Sequence, residues 1–134
     1  MTKKLKIVAL GAGRMGRGIA QVFSYAGHDI TIIDFKKRKK NSSIKLLAEC
    51  KTEIRENLEF LTSLEIFNSK EIPSILERIT VAPYEDAEEN LAKADYIFEG
   101  VPELIHVKED AIGRASRMAS DKAIIASTTS TILV

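Results

Sequence analysis

Apolar positions recur along this chain in two alternating rhythms. Leu5 to Leu10 is apolar apart from Lys6 and stops at Gly11, the pattern of a strand buried on both faces. From Arg14 to Ala26 the spacing turns helical, with Met15, Ile19, Val22, Phe23 and Ala26 on one side. Gly27-His28 closes that helix where a left-handed residue is wanted. Asp29 to Asp34 holds Ile30, Ile32 and Ile33, a β-branched run that predicts a second strand. A long helix follows, in which Ile44, Leu47, Ile54, Leu58 and Leu61 form an amphipathic stripe ending near Leu64. Pro73 opens a short helix over Ser74 to Glu77, and Ile79 to Ala82 has the composition of a third strand. Glu88 to Lys93 is a helical connection, Tyr96 to Glu99 a fourth strand, Leu104 to Ala119 a helix and Lys122 to Ser127 a fifth strand. Strands alternating with helices imply an α/β domain: a doubly wound parallel sheet covered on both faces, with a long helical excursion after the second strand.

The 134 residues make one domain, 1–134, without internal repeats, low-complexity segments or a linker. The end, Thr131 to Val134, is apolar and shows no cap or turn signal, so either the natural protein continues or another chain covers these residues; truncation is the expectation. An apolar fraction of 45% and a charged fraction of 29% exclude a disordered chain, and a net charge of +1 excludes a general nucleic-acid binder. No apolar run reaches the roughly 20 residues of a membrane span. Cys50 is the only cysteine and cannot pair within the chain, which fits a reducing, cytoplasmic setting.

Chemistry concentrates in Gly11-Ala12-Gly13-Arg14-Met15-Gly16. Gly11 suits a tight reversal from strand to helix, Gly13 a close backbone approach to a diphosphate, and Gly16 a close seat of helix on strand. The helix start adds free N–H groups and partial positive charge, so Gly11, Gly13, Arg14, Met15 and Gly16 are the candidate contacts of a dinucleotide. Such a loop means little alone, but here it follows a predicted strand and opens a predicted helix, the Rossmann arrangement. Asp34 ends the next strand, about twenty residues on, where a carboxylate accepts from the adenosine ribose hydroxyls and repels the 2′-phosphate of NADP; this points to NAD. Its bland alternative is a cap on the following helix. The run Lys36-Lys37-Arg38-Lys39-Lys40 reads as a solvated helix start, a lining for the adenine side, or an attraction for the 3′-phosphate of CoA; nuclear localisation or nucleic-acid binding is disfavoured by the near-neutral charge of the rest of the chain.

The segment from Gly11 to Asp29, then Ala94-Asp-Tyr-Ile-Phe-Glu-Gly-Val-Pro-Glu103, Lys108 and Ala126-Ser-Thr-Thr-Ser130, resembles the 3-hydroxyacyl-CoA dehydrogenases. The resemblance spans essentially the whole chain and is weakest in the middle helices. It implies hydride transfer between nicotinamide and the C3 hydroxyl of a 3-hydroxyacyl-CoA, in fatty acid or butyrate metabolism. It also implies a homodimer, and a helical substrate and dimerisation domain beyond this chain. Glu103 and Lys108 match residues near the nicotinamide ribose, and Ser130 matches the serine that donates to the reacting oxygen and completes the cofactor-binding set. Each has an alternative from its own setting: a helix start for Glu103, a surface pair for Lys108, a helix cap for Ser130.

Two departures qualify the resemblance. The family's base is a histidine held by a glutamate, both downstream of the serine motif; His28 and His106 match neither and are expected at the surface, so residues 1–134 alone should be inactive. The family's CoA-contacting serine and lysine on the long helix also lack clear counterparts, with Cys50 and Asn57 near their places. Cys50 is expected to pack within the helix layer. Two alternatives therefore stand beside the CoA ester: a dehydrogenase of a free 3-hydroxy acid, and a non-catalytic NAD-binding module.

Overall fold

The computed structural model describes residues 4–102 and 104–128. Its elements run β1 (Ile7–Leu10), α1 (Arg14–Tyr25), β2 (Ile30–Ile33), α2 (Lys40–Ser63), α3 (Ile72–Glu77), β3 (Ile79–Ala82), α4 (Ala87–Ala92), β4 (Tyr96–Glu99), α5 (Ile105–Met118) and β5 (Ile124–Ser127). The strands form one five-stranded sheet in the order β3-β2-β1-β4-β5, each neighbouring pair parallel. This is the expected doubly wound arrangement.

Side-chain alternation along β1 builds two cores at once. Ile7 and Ala9 join Ile30, Ile32, Cys50, Ile54 and Leu58 under α1, α2 and α3. Val8 and Leu10 join Ile33, Leu91, Ile97 and Ala115 under α4 and α5. With both faces covered, β1 and β2 bury every residue, and continuous apolar runs are what such strands require.

Helix faces depart from the expected stripes. In α1 the buried residues are Gly16, Ala20 and Ser24, while Ile19 and Phe23 flank them half-buried and Met15, Val22 and Ala26 are exposed. Small residues four apart let the helix axis come close to the sheet, and larger ones are pushed to the flanks. In α2 the buried line is Cys50, Ile54 and Leu58; Ile44 is exposed and Leu47 and Leu61 are half-buried. Only the middle of that helix lies over the sheet.

Helices α1 and α2 end as six-to-one turns. Gly27 takes φ 100°, with its N–H bonded to Ser24 O at 3.1 Å and His28 N–H to Phe23 O at 2.9 Å. After α2 the same turn places Glu65 at φ 59°, the one non-glycine residue with positive φ among those described. A left-handed residue with a β-carbon costs roughly 1–2 kcal/mol, partly offset by glycine's larger unfolded-state entropy. Glu65→Gly should therefore raise stability by about 0.5 kcal/mol, or a Tm gain of about 2 °C. A lower melting temperature in calorimetry would contradict this account of the turn.

Candidate functional site

Strand order reverses between β1 and β4, and ligands of open α/β sheets sit at the carboxyl ends of strands flanking such a point. Here that point is built from glycine. Gly11 leaves β1 at φ 101°, its N–H donating to Ile33 O at 2.8 Å. A β-carbon on Gly11 would stand 3.1 Å from Gly100 O, and one on Gly16 only 1.8 Å from Gly11 O. The tasks expected of Gly11 and Gly16 are thus met by backbone contacts. Gly13 differs: a β-carbon there would meet nothing within 4 Å. Gly13 is the N-cap of α1 and offers no side-chain cap, and no acidic residue stands in the first turn. The N–H groups of Arg14, Met15 and Gly16 have no intrahelical acceptor, so a positive helix end faces open space above Gly13. That arrangement suits a diphosphate.

The loop is buckled from behind. Ala12 O accepts from Arg17 Nε at 2.8 Å and from Cys50 Sγ at 3.6 Å, and Arg17 Nη1 is paired with Glu53. Turning this carbonyl toward α2 keeps an acceptor lone pair off the anion-facing side. Burial pushes the Cys50 thiol up, which keeps it protonated and able to donate. Arg17 escaped the sequence reading because a backbone carbonyl as acceptor leaves no mark in the sequence.

Asp34 lines a 730 Å³ cleft together with Gly11, Gly13, Arg14 and Met15, and it follows directly on Ile33, whose carbonyl accepts the Gly11 N–H. Its backbone N–H donates to Ala82 O at 2.9 Å and its Oδ2 accepts from Arg38 Nε at 2.7 Å. The N-cap of α2 is Lys39, without a side-chain cap, so Asp34 does not cap that helix. Only Lys40 of the basic run belongs to α2; Lys36 and Arg38 precede it and line the cleft. Lys36 and Arg38 are therefore the two residues of the run that reach the cleft.

The far wall comes from Gly100, Val101 and Pro102 after β4. Behind it lies a buried ion pair the sequence did not reveal. Glu99 and Lys108 side chains are 0% and 3% exposed, with Lys108 Nζ 2.8 Å from Glu99 Oε2 and 3.1 Å from Oε1. Glu99 also accepts from Val101 N at 2.7 Å and from Ser127 Oγ at 2.6 Å, and Lys108 donates to Val101 O at 3.3 Å. Lys108 is therefore no surface pair, and its ammonium stands behind the cleft wall. The signal was available: a carboxylate closing an otherwise apolar buried strand needs a partner. Glu103 and Ser130 lie outside the described residues. His28 and His106 are exposed, as expected. Among the described residues no helix is long and apolar enough to cross a membrane, and no cluster of His, Cys, Asp or Glu is placed to hold a metal.

The fold and the cleft together define a dinucleotide-binding domain. Residues 6–134 match the family model described as 3-hydroxyacyl-CoA dehydrogenase, NAD binding domain. The chain is 28% identical over 131 residues to the human mitochondrial hydroxyacyl-coenzyme A dehydrogenase, covering 96% of this chain and 40% of that protein. It is 32% identical over 126 residues to the L-carnitine dehydrogenase/betainyl-CoA thioesterase of Agrobacterium fabrum, covering 94% of this chain and 23% of that protein. The crystal structure of (S)-3-hydroxybutyryl-CoA dehydrogenase PaaH1 from Ralstonia eutropha shares the fold, with TM-score 0.82 at 23% identity over 97% of this chain and 42% of the other. The chain belongs to the 3-hydroxyacyl-CoA dehydrogenase family as its NAD-binding domain, and its cofactor is NAD. It spans well under half the length of these relatives.

Removing one partner of a buried ion pair strands the other charge. Lys108→Met should cost about 3 kcal/mol in denaturant unfolding, and adding Glu99→Gln should recover part of it. A loss below about 1 kcal/mol for the single variant would mean that the pair does not hold the wall.

Proposed function

We propose that this chain holds NAD along the cleft and presents its nicotinamide to the C3 hydroxyl of a 3-hydroxyacyl-CoA, as part of an NAD-dependent dehydrogenase of fatty acid or butyrate metabolism. The observation that carries the reading is the open space above Gly13 at an uncapped helix start, with Asp34 lining the same cleft. Gly11, Gly13, Arg14, Met15 and Gly16 bind the diphosphate through backbone N–H groups, and Asp34 accepts from the adenosine ribose. Glu103 holds the nicotinamide ribose end. Lys108 serves that end through Glu99 and Val101, which it fixes from behind. When bound, NAD supplies the carbon that takes the hydride. Ser130 donates a hydrogen bond to the substrate oxygen, on which charge changes as the hydride moves. Proton removal from the hydroxyl falls to a histidine outside residues 1–134, so these residues alone bind NAD without turnover. A homodimer in a reducing compartment such as the cytoplasm completes the proposal.

A second reading, a free 3-hydroxy acid as substrate, is favoured by two observations. The Agrobacterium relative is named an L-carnitine dehydrogenase. Cys50 and Asn57, near the places of the family's CoA contacts, are both turned to other work: Cys50 Sγ donates to Ala12 O, and Asn57 Nδ2 to Gln21 Oε1 at 3.2 Å.

Millimolar NAD should raise the melting temperature of residues 1–134, and Asp34→Ala should weaken NAD and narrow the gap to NADP. An unshifted melting curve, or an unchanged cofactor preference, would remove the loop or the carboxylate from the reading. In an active dehydrogenase containing this chain, Ser130→Ala should cut turnover by roughly 100-fold at near-native NAD affinity, measured on 3-hydroxybutyryl-CoA and L-carnitine side by side. Equal rates would take Ser130 off the list.

A further inference from the structure

A carboxylate facing the adenosine 2′ position excludes NADP because a phosphate there meets like charge in a poorly solvated corner. In this chain that carboxylate does not stand alone. Asp34 is buried, with 3% of its side chain exposed, and its Oδ2 lies 2.7 Å from Arg38 Nε. Arg38 is 31% exposed and lines the same cleft, as does Lys36. Among the described residues the two Nη nitrogens of Arg38 make no hydrogen bond, and Lys36 makes none through its side chain. The wall thus presents one anion against two cations, with a guanidinium fork still able to bind a phosphate oxygen.

We infer that Arg38 is a specificity-determining residue that tempers Asp34: it neutralises the carboxylate and offers a 2′-phosphate a charge-assisted partner, so the site binds NADP as well as NAD, with NAD preferred. The inference rests on the NAD-binding reading above. Arg38 occupies Oδ2 and leaves Oδ1 to the ribose, so NAD loses little when Arg38 goes. A 2′-phosphate loses its main counter-charge and faces an unneutralised Asp34. The two cofactors therefore respond to the same substitution in different degrees.

Calorimetric titration of NAD and NADP into the wild-type chain, Arg38→Gln and Arg38→Lys tests this without any turnover. Arg38→Gln should raise the ratio Kd(NADP)/Kd(NAD) about tenfold while NAD affinity stays within about threefold, the loss expected for one charge-assisted bond. Arg38→Lys, which keeps the charge without the fork, should fall between the two. Lys36→Gln checks the same wall where Asp34 has no direct partner to lose, and should raise the ratio about threefold. Wild type binding NAD with a ratio unmoved by Arg38→Gln and Lys36→Gln would overturn the inference and leave the NAD reading intact. Wild type binding neither cofactor would bring down that reading, and this inference with it.

Discussion

Seating α1 directly on the chain reversal after β1 is the constraint from which the cleft follows. A methyl group at position 16 would lie 1.8 Å from Gly11 O, far inside any contact a packed interior tolerates. Gly11 in turn needs φ 101°, and its own missing β-carbon would press on Gly100 O at 3.1 Å. Gly100 closes the cluster, since a β-carbon there would meet Gly16 N and Met15 Cβ, each at 3.3 Å. These are largely contacts of backbone with backbone, so no rotamer change can relieve a substitution at position 16. The ends of β1 and β4 are thereby brought against the first turn of α1, and its free N–H groups come to the mouth of the sheet's switch point.

Charge then fixes the parts that backbone packing leaves loose. Arg17–Glu53 ties α1 to α2, Asp34–Arg38 braces the loop between β2 and α2, and Glu99–Lys108 ties the end of β4 to α5 behind the cleft wall. A buried pair adds little net stability, because desolvation offsets most of the attraction. What it supplies is direction. Glu99 has both oxygens engaged, by Lys108, Ser127 and the Val101 N–H, and its backbone O accepts from Thr128 Oγ1 at 2.9 Å. Glu99 thereby locks the loop after β4 to the end of β5, at the carboxyl edge of the sheet.

The strands were legible because they are short apolar runs bounded by charge or glycine; Ile79–Ala82 and Tyr96–Glu99 fall where the sequence predicts them. The glycine loop and Asp34 were legible because their chemistry demands those residue types at that spacing. Helix faces were not. A periodicity search weights large side chains, yet α1 buries Gly16, Ala20 and Ser24, where closeness to the sheet matters more than apolar bulk. Lys108 was expected at the nicotinamide ribose end, with a surface pair as its alternative; the buried pair is legible only from Glu99, since a lysine on a polar helix gives no sign of a carboxylate nine positions earlier in a strand. The left-handed Glu65 carries no signal at all, since nothing but tertiary fit selects glutamate over glycine there.

The long helix borders both the cleft and a second groove beside it. Cys50 and Glu53 reach back to the glycine loop, directly and through Arg17, and Leu46 lines the cleft. That face of α2 is committed to the nucleotide half. The groove beside it is lined by Arg17, Lys45, Glu49, Glu53 and Glu56 among others, with three carboxylates to two cations. Such a surface repels the phosphates of CoA. On the proposed CoA-ester reading the counter-charge comes from Lys37, Lys39 and Lys40 toward the amino-terminal end of α2, which do not line the cleft. A free hydroxy acid needs no such anchor. The basic run is thus the feature on which the two proposed substrate readings part, because only the CoA ester carries phosphates for those three lysines to attract.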